Sequence, residues 1–334
     1  MNKMSHARDT NGKTSCEKQK LLVASMFAGC GGLDFAFHKK PDVFKIVYAS
    51  DYDKDSCQTY ENYYKFKPEC QDITKLKDIP DCDILTGGFP CQGFSIANVY
   101  RTQNDSRNKL YLELVRLLLL KKPKYFIFEN VKGILSSGGY ETPTDKIKRQ
   151  GVIFKLIVKE LQKCGYQVHT KLFKIKWYDI PQNRERVIFI GIRNDIAKKV
   201  SFEWPEEKQI ITKTLKDAIG DLSVEYDESK QHIGTKQKVK INKYMGNRKL
   251  CWDKISPTII GRGGGTGGPV INIHPSGERR MTVREYARIQ TFPDDFIFHG
   301  GLCSMYRQIG NAVPPKFSFV LADIIENLNK NINI

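Results

Sequence analysis

Short apolar runs, rich in β-branched and aromatic residues, recur along the chain from Leu21 onwards. Each run is followed by a glycine or an acidic residue and then by a stretch with helical spacing. Continuous apolar runs of this length are typical of strands that are buried on both faces of a sheet. Their alternation with helical stretches predicts an α/β fold with a doubly wound, mostly parallel sheet. The six runs are Leu22–Phe27, Ile46–Ala49, Ile84–Thr86, Tyr125–Phe128, His169–Ile175 and Val187–Ile192.

Two further helices and one irregular region follow from the same pattern. Apolar residues recur at helical spacing between Gln150 and Cys164, where Gly165 follows as a stop signal, and again over Phe317–Leu328. Between residues 195 and 278 both periodicities weaken, which predicts a smaller, irregular second lobe. The first 20 residues are polar and mixed in charge, so we expect a flexible arm without an apolar signal core.

The second lobe is strongly basic over part of its length. From Lys230 to Arg262 the chain carries nine basic residues against one acid, Asp253, and a glycine-rich run, Gly261–Gly268, ends the stretch. This composition indicates a surface that faces a phosphate backbone, although a solvated loop surface is the alternative. The basic residues are Lys230, Lys236, Lys238, Lys240, Lys243, Arg248, Lys249, Lys254 and Arg262.

Length and net charge agree with this division. The chain has 334 residues and a formal net charge of +17. A single hydrophobic core stops growing at about 250–300 residues, so this length favours two lobes. A positive surplus of this size is typical of proteins with a polyanionic partner, of which nucleic acid is the commonest, and a basic surface kept for solubility is the equally weighted alternative.

The cysteines and the apolar runs limit the class of protein further. None of the nine cysteines forms a C-x-x-C pair or a cluster with histidines at zinc-ligand spacing. This argues against a disulfide framework or a zinc site and predicts free thiols in a reducing compartment. The longest leucine-rich run, Leu114 to Leu120, is too short to span a membrane. We therefore expect a soluble, intracellular protein without a metal.

The first motif with chemical meaning is Phe27–Leu33, a glycine-rich turn directly after the first predicted strand. Glycines at such a turn let the backbone approach a ligand closely. Asp51, nineteen residues after Gly32, ends the next strand and can accept hydrogen bonds from two ribose hydroxyls. Asp72 lies near a third strand, where it could reach an adenine amino group. This pattern fits S-adenosylmethionine and a nicotinamide cofactor almost equally, and a purely structural turn remains the alternative.

The second motif, Gly87–Ser95, follows the strand that ends at Thr86 and contains Cys91. A lone cysteine is usually a small buried apolar residue. Flanking glycines and a proline instead predict a rigid, exposed loop that presents a thiolate at the same sheet edge as the glycine turn.

Two charged motifs end or begin strands at this edge. The apolar run Phe126–Val131 contains Glu129, whose carboxyl group could share a proton with a ring nitrogen or simply be solvated. The segment Gln182–Arg186 carries Arg184 and Arg186 in alternation, which predicts that both point to one face. Guanidinium groups there suit a carboxylate, a phosphate or a polarised carbonyl, and a plain ion pair is the alternative.

These four segments, in this order, resemble the DNA (cytosine-5) methyltransferases, especially the compact enzymes of bacterial restriction–modification systems. The likeness covers roughly residues 21–193 and 279–325, and the Phe-Pro-Cys-Gln loop and Gln308–Pro315 are individually specific. Asn108 departs from the glycine usual in the family after the preceding arginine. Further matching segments are Asp105–Leu110 and Arg284–Pro293.

The resemblance implies the S-adenosylmethionine-dependent methyltransferase fold, with S-adenosyl-L-methionine as cofactor and a smaller, irregular target-recognition domain. Asp51 would hold the ribose and Tyr52 would pack on the adenine, while Asn311 and Val313 would close the pocket from the C-terminal segment. The full implied cofactor set is Phe27, Ala28, Gly29, Gly31, Gly32, Leu33, Asp51, Tyr52, Asp72, Ile73, Gly88, Leu110, Asn311 and Val313.

The resemblance also implies catalytic and DNA-binding residues. Cys91 would be the nucleophile, and Glu129 with Arg184 would bind a flipped cytosine, the arginine at its carbonyl oxygen. Pro90, Asn130 and Arg186 complete the implied catalytic set. The residues expected to contact DNA are Gln92, Ser95, Arg107, Lys243, Arg248 and Arg262.

The same family pattern implies a division of the chain and its partners. Residues 21–194 would form the catalytic and cofactor-binding domain, and residues 195–278 the target-recognition domain. Residues 279–334 would be a C-terminal segment whose end packs back on the catalytic domain. We expect double-stranded DNA as the substrate, with a cognate restriction endonuclease acting separately. We also expect a cytoplasmic, nucleoid-associated monomer with no membrane contact.

Three rival functions remain open at this point. A nicotinamide-dependent oxidoreductase would use the glycine turn and Asp51 but leaves the Cys91 loop and the basic lobe without a purpose. A methyltransferase of the same fold that acts on cytosine in RNA fits the motifs, although the long middle stretch favours a DNA-reading lobe. A nucleic-acid-binding relic without catalysis is disfavoured because Cys91, Glu129 and Arg184 occur together.

Overall fold

Eleven strands and ten helices are present in the part of the chain that a computed structural model describes, residues 19–89, 110–223, 225–235, 247–261 and 271–332. The strands are β1 (Leu21–Met26), β2 (Phe44–Asp51), β3 (Glu69–Cys70), β4 (Ile84–Gly87), β5 (Tyr125–Val131), β6 (Tyr166–Lys174), β7 (Gln182–Asn183), β8 (Glu185–Arg193), β9 (Asn247–Lys249), β10 (Ser256–Pro257) and β11 (Ile271–Ile273). The helices are α1 (Phe35–Lys39), α2 (Lys54–Tyr64), α3 (Leu110–Lys121), α4 (Pro143–Lys148), α5 (Val152–Lys163), α6 (Asn194–Ala197), α7 (Leu215–Ile219), α8 (Val283–Ile289), α9 (Leu302–Asn311) and α10 (Pro315–Ile332).

Seven of the strands form one sheet in the order β3-β2-β1-β4-β5-β8-β6. The first five strands are parallel, and β8 runs antiparallel to both of its neighbours. All six apolar runs of the sequence are strands of this sheet, so the expected mostly parallel α/β fold is confirmed. The seventh strand, β3, escaped the sequence analysis because it has only two residues and both are exposed.

The sheet is buried on both faces, as its continuous apolar runs require. Along β5, Tyr125 and Ile127 point into one hydrophobic cluster, and Phe126 and Phe128 point into the other. Each such side chain stabilises the fold by about 1.5–3 kcal/mol when it leaves water. Gly191 on β8 makes room for this packing, since a Cβ there would lie 1.8 Å from Cε1 of Phe126.

Helices cover the two faces with the spacing that the sequence predicts. Helix α5 buries Phe154, Ile157 and Leu161 against one face, and Gly165 follows it with φ +91°. Helix α10 buries its apolar stripe against the other face and extends beyond the predicted Phe317–Leu328 at both ends. Its N-terminal turn is fixed to α1, where the Ala36 amide donates to Ser318 Oγ at 3.0 Å. The C-terminal helix therefore closes the sheet that begins at β1.

A third hydrophobic cluster crosses the expected boundary between the two lobes. It contains Leu215, Ile219 and Ile259 from the irregular region together with Tyr60 of α2 and residues of α8 and α9. The chain beyond residue 194 therefore shares a core with the sheet domain. No helix among the described residues is long and apolar enough to cross a membrane.

Candidate active site

The carboxyl ends of four strands meet at one edge of the sheet. Register pairs Met26 at the end of β1 with Gly87 at the end of β4, and Gly87 with Phe128 on β5. Asp51 ends β2 beside them, and Glu129 lies one residue beyond Phe128. Ligands in doubly wound sheets bind outside such carboxyl ends. The sequence therefore brings Asp51, Glu129 and the glycine turn to one edge.

Gly29 is the position at which the glycine turn opens to solvent. Its φ is +55°, and a Cβ built there meets no atom of the described part of the chain within 4 Å. Its amide donates to Asp51 Oδ2 at 2.8 Å, and Phe27 before it also has a positive φ, 52°. Phe27, Ala28 and Gly29 are half-buried, so the backbone of the turn is accessible to a ligand.

Gly31 and Gly32, in contrast, are required by packing within the protein. A Cβ on Gly31, whose φ is +92°, would lie 2.3 Å from the ring of Tyr64. One on Gly32 would lie 2.2 Å from the carbonyl oxygen of Val313. The side chains of Leu33 and Val313 belong to the core cluster under α10. The four residues Gly31, Gly32, Leu33 and Val313 can therefore contact a ligand only through the backbone or through a small exposed part of a side chain.

Asp51 and Tyr52 form a polar and an aromatic surface beside the turn. Burial raises the pKa of the Asp51 carboxyl, and hydrogen bonds from the amides of Asp53 and Gly29 oppose that rise. Each carboxylate oxygen accepts one of these bonds and keeps a second acceptor site for a hydroxyl group. The Tyr52 side chain is 70% exposed, which leaves its ring free to stack on a planar ligand.

The remaining residues expected around the adenine differ in their exposure. Asp72 is exposed, and its Oδ1 accepts hydrogen bonds from the amide and hydroxyl of Thr74, both at 2.9 Å. Ile73 and the half-buried Leu110 pack into the core beneath this edge instead. Sequence analysis missed Arg307, which donates to Asp53 Oδ1 at 3.0 Å and so links α9 to the start of α2.

A buried ion pair lies at the end of β5. Glu129 Oε1 is 2.5 Å from Arg186 Nε, both side chains being largely buried. Neither atom has an aligned hydrogen-bond partner within the described part of the chain. A Cβ on Gly88 would lie 3.4 Å from Glu129 Oε2, an ordinary contact distance, so Gly88 lies beside this oxygen. Because Oε1 and Nε face each other, a ligand would have to use the other oxygen of Glu129 or the terminal nitrogens of Arg186.

Arg184 lies near this pair, but backbone carbonyls occupy its guanidinium group, and its expected contact with a base stays a prediction. The strand is interrupted at Arg184, whose amide donates to the Gln182 carbonyl at 2.9 Å. Its side chain turns inward, is fully buried and donates to the carbonyls of Ile259, Gly310 and Ala312, each at 3.0 Å. Burial and the neighbouring Arg186 lower the pKa of Arg184, while Glu129 raises it.

Asn130 fixes the start of the segment that carries the expected nucleophile. Its side chain is buried, and Nδ2 donates to the Phe89 carbonyl at 3.2 Å. Phe89 is the last described residue before Pro90 and Cys91. Asn130 therefore holds the backbone that leads into that segment and lies next to the carboxylate of Glu129.

Several expected site residues lie outside the described part of the chain. Of the expected DNA contacts, Arg248 is described and is exposed on β9. Asn311, expected at the cofactor pocket, is exposed at the end of α9. The expected residues that lie outside the described ranges are Pro90, Cys91, Gln92, Ser95, Arg107, Lys243 and Arg262.

The thiol of the glycine turn is a poor candidate for the nucleophile. Cys30 is buried, and burial raises the pKa of its thiol to about 12. The thiol is therefore protonated at neutral pH, and only the thiolate is an effective nucleophile. Cys91 stays the predicted nucleophile.

Comparison with known proteins gives a consistent result. The family model for C-5 cytosine-specific DNA methylases matches residues 21–327. The type II methyltransferase M.BsuRI of Bacillus subtilis is 33% identical, over 94% of this chain and 81% of its own length. The type II methyltransferase M.MthTI of Methanothermobacter thermautotrophicus is 35% identical, over 91% of this chain and 96% of its own.

Solved structures share the fold at lower identity. A protein described as a DNA modification methyltransferase from an E. coli prophage matches with a TM-score of 0.70 and 24% identity, over 93% of this chain and all of its own. The Dnmt2 methyltransferase of S. pombe matches with a TM-score of 0.67 and 20% identity, again over 93% of this chain and 100% of its own. At these identities the likeness shows a common fold.

Proposed function

Because this chain belongs to the C-5 cytosine-specific DNA methylases, we propose that it uses S-adenosylmethionine to methylate carbon 5 of a flipped cytosine in a specific duplex sequence. We further propose that Cys91 forms a covalent bond to the base during the reaction. Its relatives are named type II methyltransferases, which supports a role in protecting DNA from a cognate restriction endonuclease.

The open face of the glycine turn supports the choice of cofactor. Among the described residues, none lies within 4 Å of a Cβ built on Gly29, and Asp51 keeps acceptor sites for the ribose hydroxyls. The exposed Tyr52 ring provides a stacking surface for adenine. When bound, S-adenosylmethionine supplies an electrophilic methyl group. The residues present at this edge therefore fit the cofactor.

The chemistry of cytosine explains why a thiolate is needed. Carbon 5 is a poor nucleophile because the aromatic ring holds its electrons. Addition of the Cys91 thiolate to carbon 6 breaks that conjugation and makes carbon 5 enamine-like. After methylation, loss of the carbon 5 proton and departure of the Cys91 thiolate restore the aromatic ring.

We propose that Glu129 and Arg186 stabilise the charge that develops on the base. We assign to Glu129 the hydrogen bonds to ring nitrogen 3 and the exocyclic amine. Addition of the thiolate to carbon 6 makes ring nitrogen 3 more basic. We assign the carbonyl oxygen at position 2 to Arg186 rather than Arg184, because Arg186 is the arginine paired with Glu129. A preorganised contact of this kind is typically worth ~3–4 kcal/mol of the barrier.

DNA binding must also compensate for extruding the base, which costs a few kcal/mol. The basic stretch from Lys230 to Arg262 is our candidate for the phosphate contacts, and Arg248 is an exposed member of it. Contacts from the irregular region to base edges would then select the sequence. We retain residues 195–278 as the proposed target-recognition domain.

The observation that carries this proposal is the Glu129–Arg186 pair beside Gly88, at the root of the segment that contains Cys91. The test is methyl transfer from labelled S-adenosylmethionine to mixed-sequence duplex DNA, with duplex and single-stranded RNA as parallel substrates. We expect 5-methylcytosine in DNA alone. Label in RNA would replace the DNA assignment with an RNA one, and label in neither would remove the activity.

A further inference from the structure

Three buried polar side chains join two distant segments of the chain, and we call them the Arg184 cluster: Gln182, Arg184 and Gln290. Each is fully buried. The guanidinium of Arg184 donates through Nη1 to the Ile259 carbonyl and through Nη2 to the carbonyls of Gly310 and Ala312. One side chain therefore holds carbonyls that are separated by some fifty positions in the sequence.

The two glutamines complete the same connection. Gln182 Oε1 accepts from the Ile259 amide at 3.0 Å, and Gln182 Nε2 donates to Gln290 Oε1. Gln290 Nε2 donates in turn to the Ile309 carbonyl at 2.8 Å and the Ala312 carbonyl at 3.0 Å. The Arg184 cluster thus bonds to the backbone of Ile259 on one side and to the backbone of residues 309–312 on the other.

The two segments also touch each other directly. A Cβ on Gly310 would lie 2.4 Å from the Gly261 amide nitrogen, and one on Gly261 would lie 2.4 Å from Asn311 Oδ1. The two segments therefore lie at contact distance at Gly261 and Gly310, and a side chain on either glycine would force them apart. The Arg184 guanidinium bonds to both segments across this contact, which also restricts their relative orientation.

Each segment leads to a different part of the proposed site. Ile259–Gly261 runs directly into the glycine-rich end of the basic stretch that we assign to DNA. Gly310–Val313 packs on Gly32 of the cofactor turn through the Val313 carbonyl. Within the cluster, Arg184 lies two residues before Arg186, which pairs with Glu129. It therefore adjoins all three functional surfaces.

We propose that Arg184 is a positioning residue that fixes the DNA-facing segment Ile259–Gly261 relative to the cofactor wall Gly310–Val313. The inference rests on the proposed function, since that function gives the two segments their roles. Arg184 touches neither substrate nor cofactor in this account. It acts through the backbone carbonyls that it holds, and its planar fork of donors is what lets one side chain hold three of them.

The chain offers a matched control in Arg284. This arginine is also almost fully buried and also donates to three backbone carbonyls, those of Lys230, Pro293 and Phe296. It does not contact either of the two segments in these bonds. Arg184→Lys and Arg284→Lys therefore remove the same number of donors in the same kind of environment at two different places.

The experiment compares the two lysine variants by amide hydrogen exchange without any ligand. We expect Arg184→Lys to accelerate exchange in both residues 256–261 and residues 309–313, while the strands of the central sheet keep their protection. Arg284→Lys should leave these two segments unchanged although it lowers the melting temperature. Faster exchange in one segment alone, or the same pattern in Arg284→Lys, would overturn the inference.

Ligand affinity provides the functional readout. Loss of bonds to a charged donor is expected to weaken equilibrium binding of S-adenosylmethionine and of duplex DNA about tenfold each in Arg184→Lys. In Arg284→Lys the affinity for S-adenosylmethionine should stay within about twofold of wild type; this variant is the control for the cofactor alone, because Arg284 holds the carbonyl of Lys230 in the proposed DNA-binding stretch. Affinities in Arg184→Lys within that same range would contradict the inference.

A second variant and a separate activity measurement distinguish a failure of the positioning role from a failure of the proposed function. If Arg184→Lys does not fold, Gln290→Met removes the bonds to Ile309 and Ala312 without a buried charge, and the same paired change in exchange is expected. Methyl transfer by the wild-type chain reports on the proposed function alone. The exchange measurement needs neither ligand nor turnover, so it tests the positioning role independently of the methyl-transfer activity.

Discussion

Arg184 and Arg186 occupy neighbouring positions on one extended segment, yet their side chains have different environments. Alternation in sequence predicts that both point to one face. The two side chains have different partners: the strand is interrupted at Arg184, whose amide donates to the Gln182 carbonyl, and its guanidinium donates to the carbonyls of Ile259 and Gly310. Those two acceptors are distant in sequence. Local pattern could therefore find the two arginines but could not assign their roles.

Replacement of Arg186 by lysine tests the proposed assignment of the base carbonyl to this arginine. Lysine keeps the charge but loses the planar fork, so we expect turnover to fall about 10²-fold while cofactor affinity is unchanged. Arg193→Lys, at the exposed end of the same strand, is the control and should retain full turnover. Wild-type turnover in Arg186→Lys, or a parallel loss of cofactor binding, would refute the role.

Asp34 gives a second test at the scale of the residue. Burial raises the pKa of this carboxyl to about 6, against hydrogen bonds from the hydroxyls of Ser25 and Tyr60 that lower it. Because the folded state binds the proton more tightly than the unfolded state, this contribution to stability increases as pH falls from about 6 towards 4 and is lost as pH rises again.

The Asp34→Asn variant should lack this dependence. Between pH 7 and pH 4.5, the free energy of unfolding of the wild type should increase by about 2 kcal/mol relative to Asp34→Asn. Urea unfolding of both proteins at the two pH values measures the difference. Equal changes in the two proteins would show that Asp34 keeps its ordinary pKa in the folded state, and a change of opposite sign would show that folding lowers this pKa; either result contradicts the prediction.

At the scale of elements, sequence periodicity located the sheet well and its edges less well. All six apolar runs are strands of the sheet, and the central strands β1, β4, β5 and β8 are almost entirely buried, as their apolar residues predict. Strand β6 begins at Tyr166, three residues before the predicted start at His169. Its first residues alternate with polar ones and pair with β8, so a long-range partner rather than local pattern extends it.

The glycine turn shows a similar division between what sequence does and does not reveal. The motif predicted a ligand-binding turn, but only Gly29 faces open space, while Gly31 and Gly32 are closed by Tyr64 and Val313. Both partners lie far along the chain, Val313 in the returning C-terminal segment. Spacing alone does not distinguish a glycine that admits a ligand from one that admits another part of the protein.

Alanine substitutions separate these two kinds of glycine. Gly29→Ala places a Cβ in open space at φ +55°, so we expect a stability loss of about 1–2 kcal/mol together with weaker cofactor binding. Gly32→Ala forces the Val313 backbone away and should cost about 2–3 kcal/mol. Urea unfolding and cofactor titration provide the two readouts. A Gly32→Ala protein as stable as wild type would contradict the packing role.

At the scale of the whole molecule, the irregular region was the least predictable part. Its position in the chain followed from weak periodicity and from basic charge, but not its packing on the sheet domain. That packing uses long-range contacts such as the bonds from the buried guanidinium groups of Arg284 to the Lys230 carbonyl and of Arg184 to the Ile259 carbonyl. Leu215 and Ile259 join the core with Tyr60. Such contacts carry no periodic signal, because each depends on a single distant partner.

The central claim is that Cys91 forms a covalent bond to cytosine, and duplex DNA containing 5-fluorocytosine tests it most directly. Fluorine at carbon 5 cannot leave as a proton does, so the ring cannot expel the thiolate and the adduct persists. With mixed-sequence duplex and S-adenosylmethionine, we predict a denaturant-stable complex that maps to the Cys91 peptide. The Cys30→Ser protein should form this complex and Cys91→Ser should not. A complex formed by Cys91→Ser, or one attached to another residue, would contradict the account.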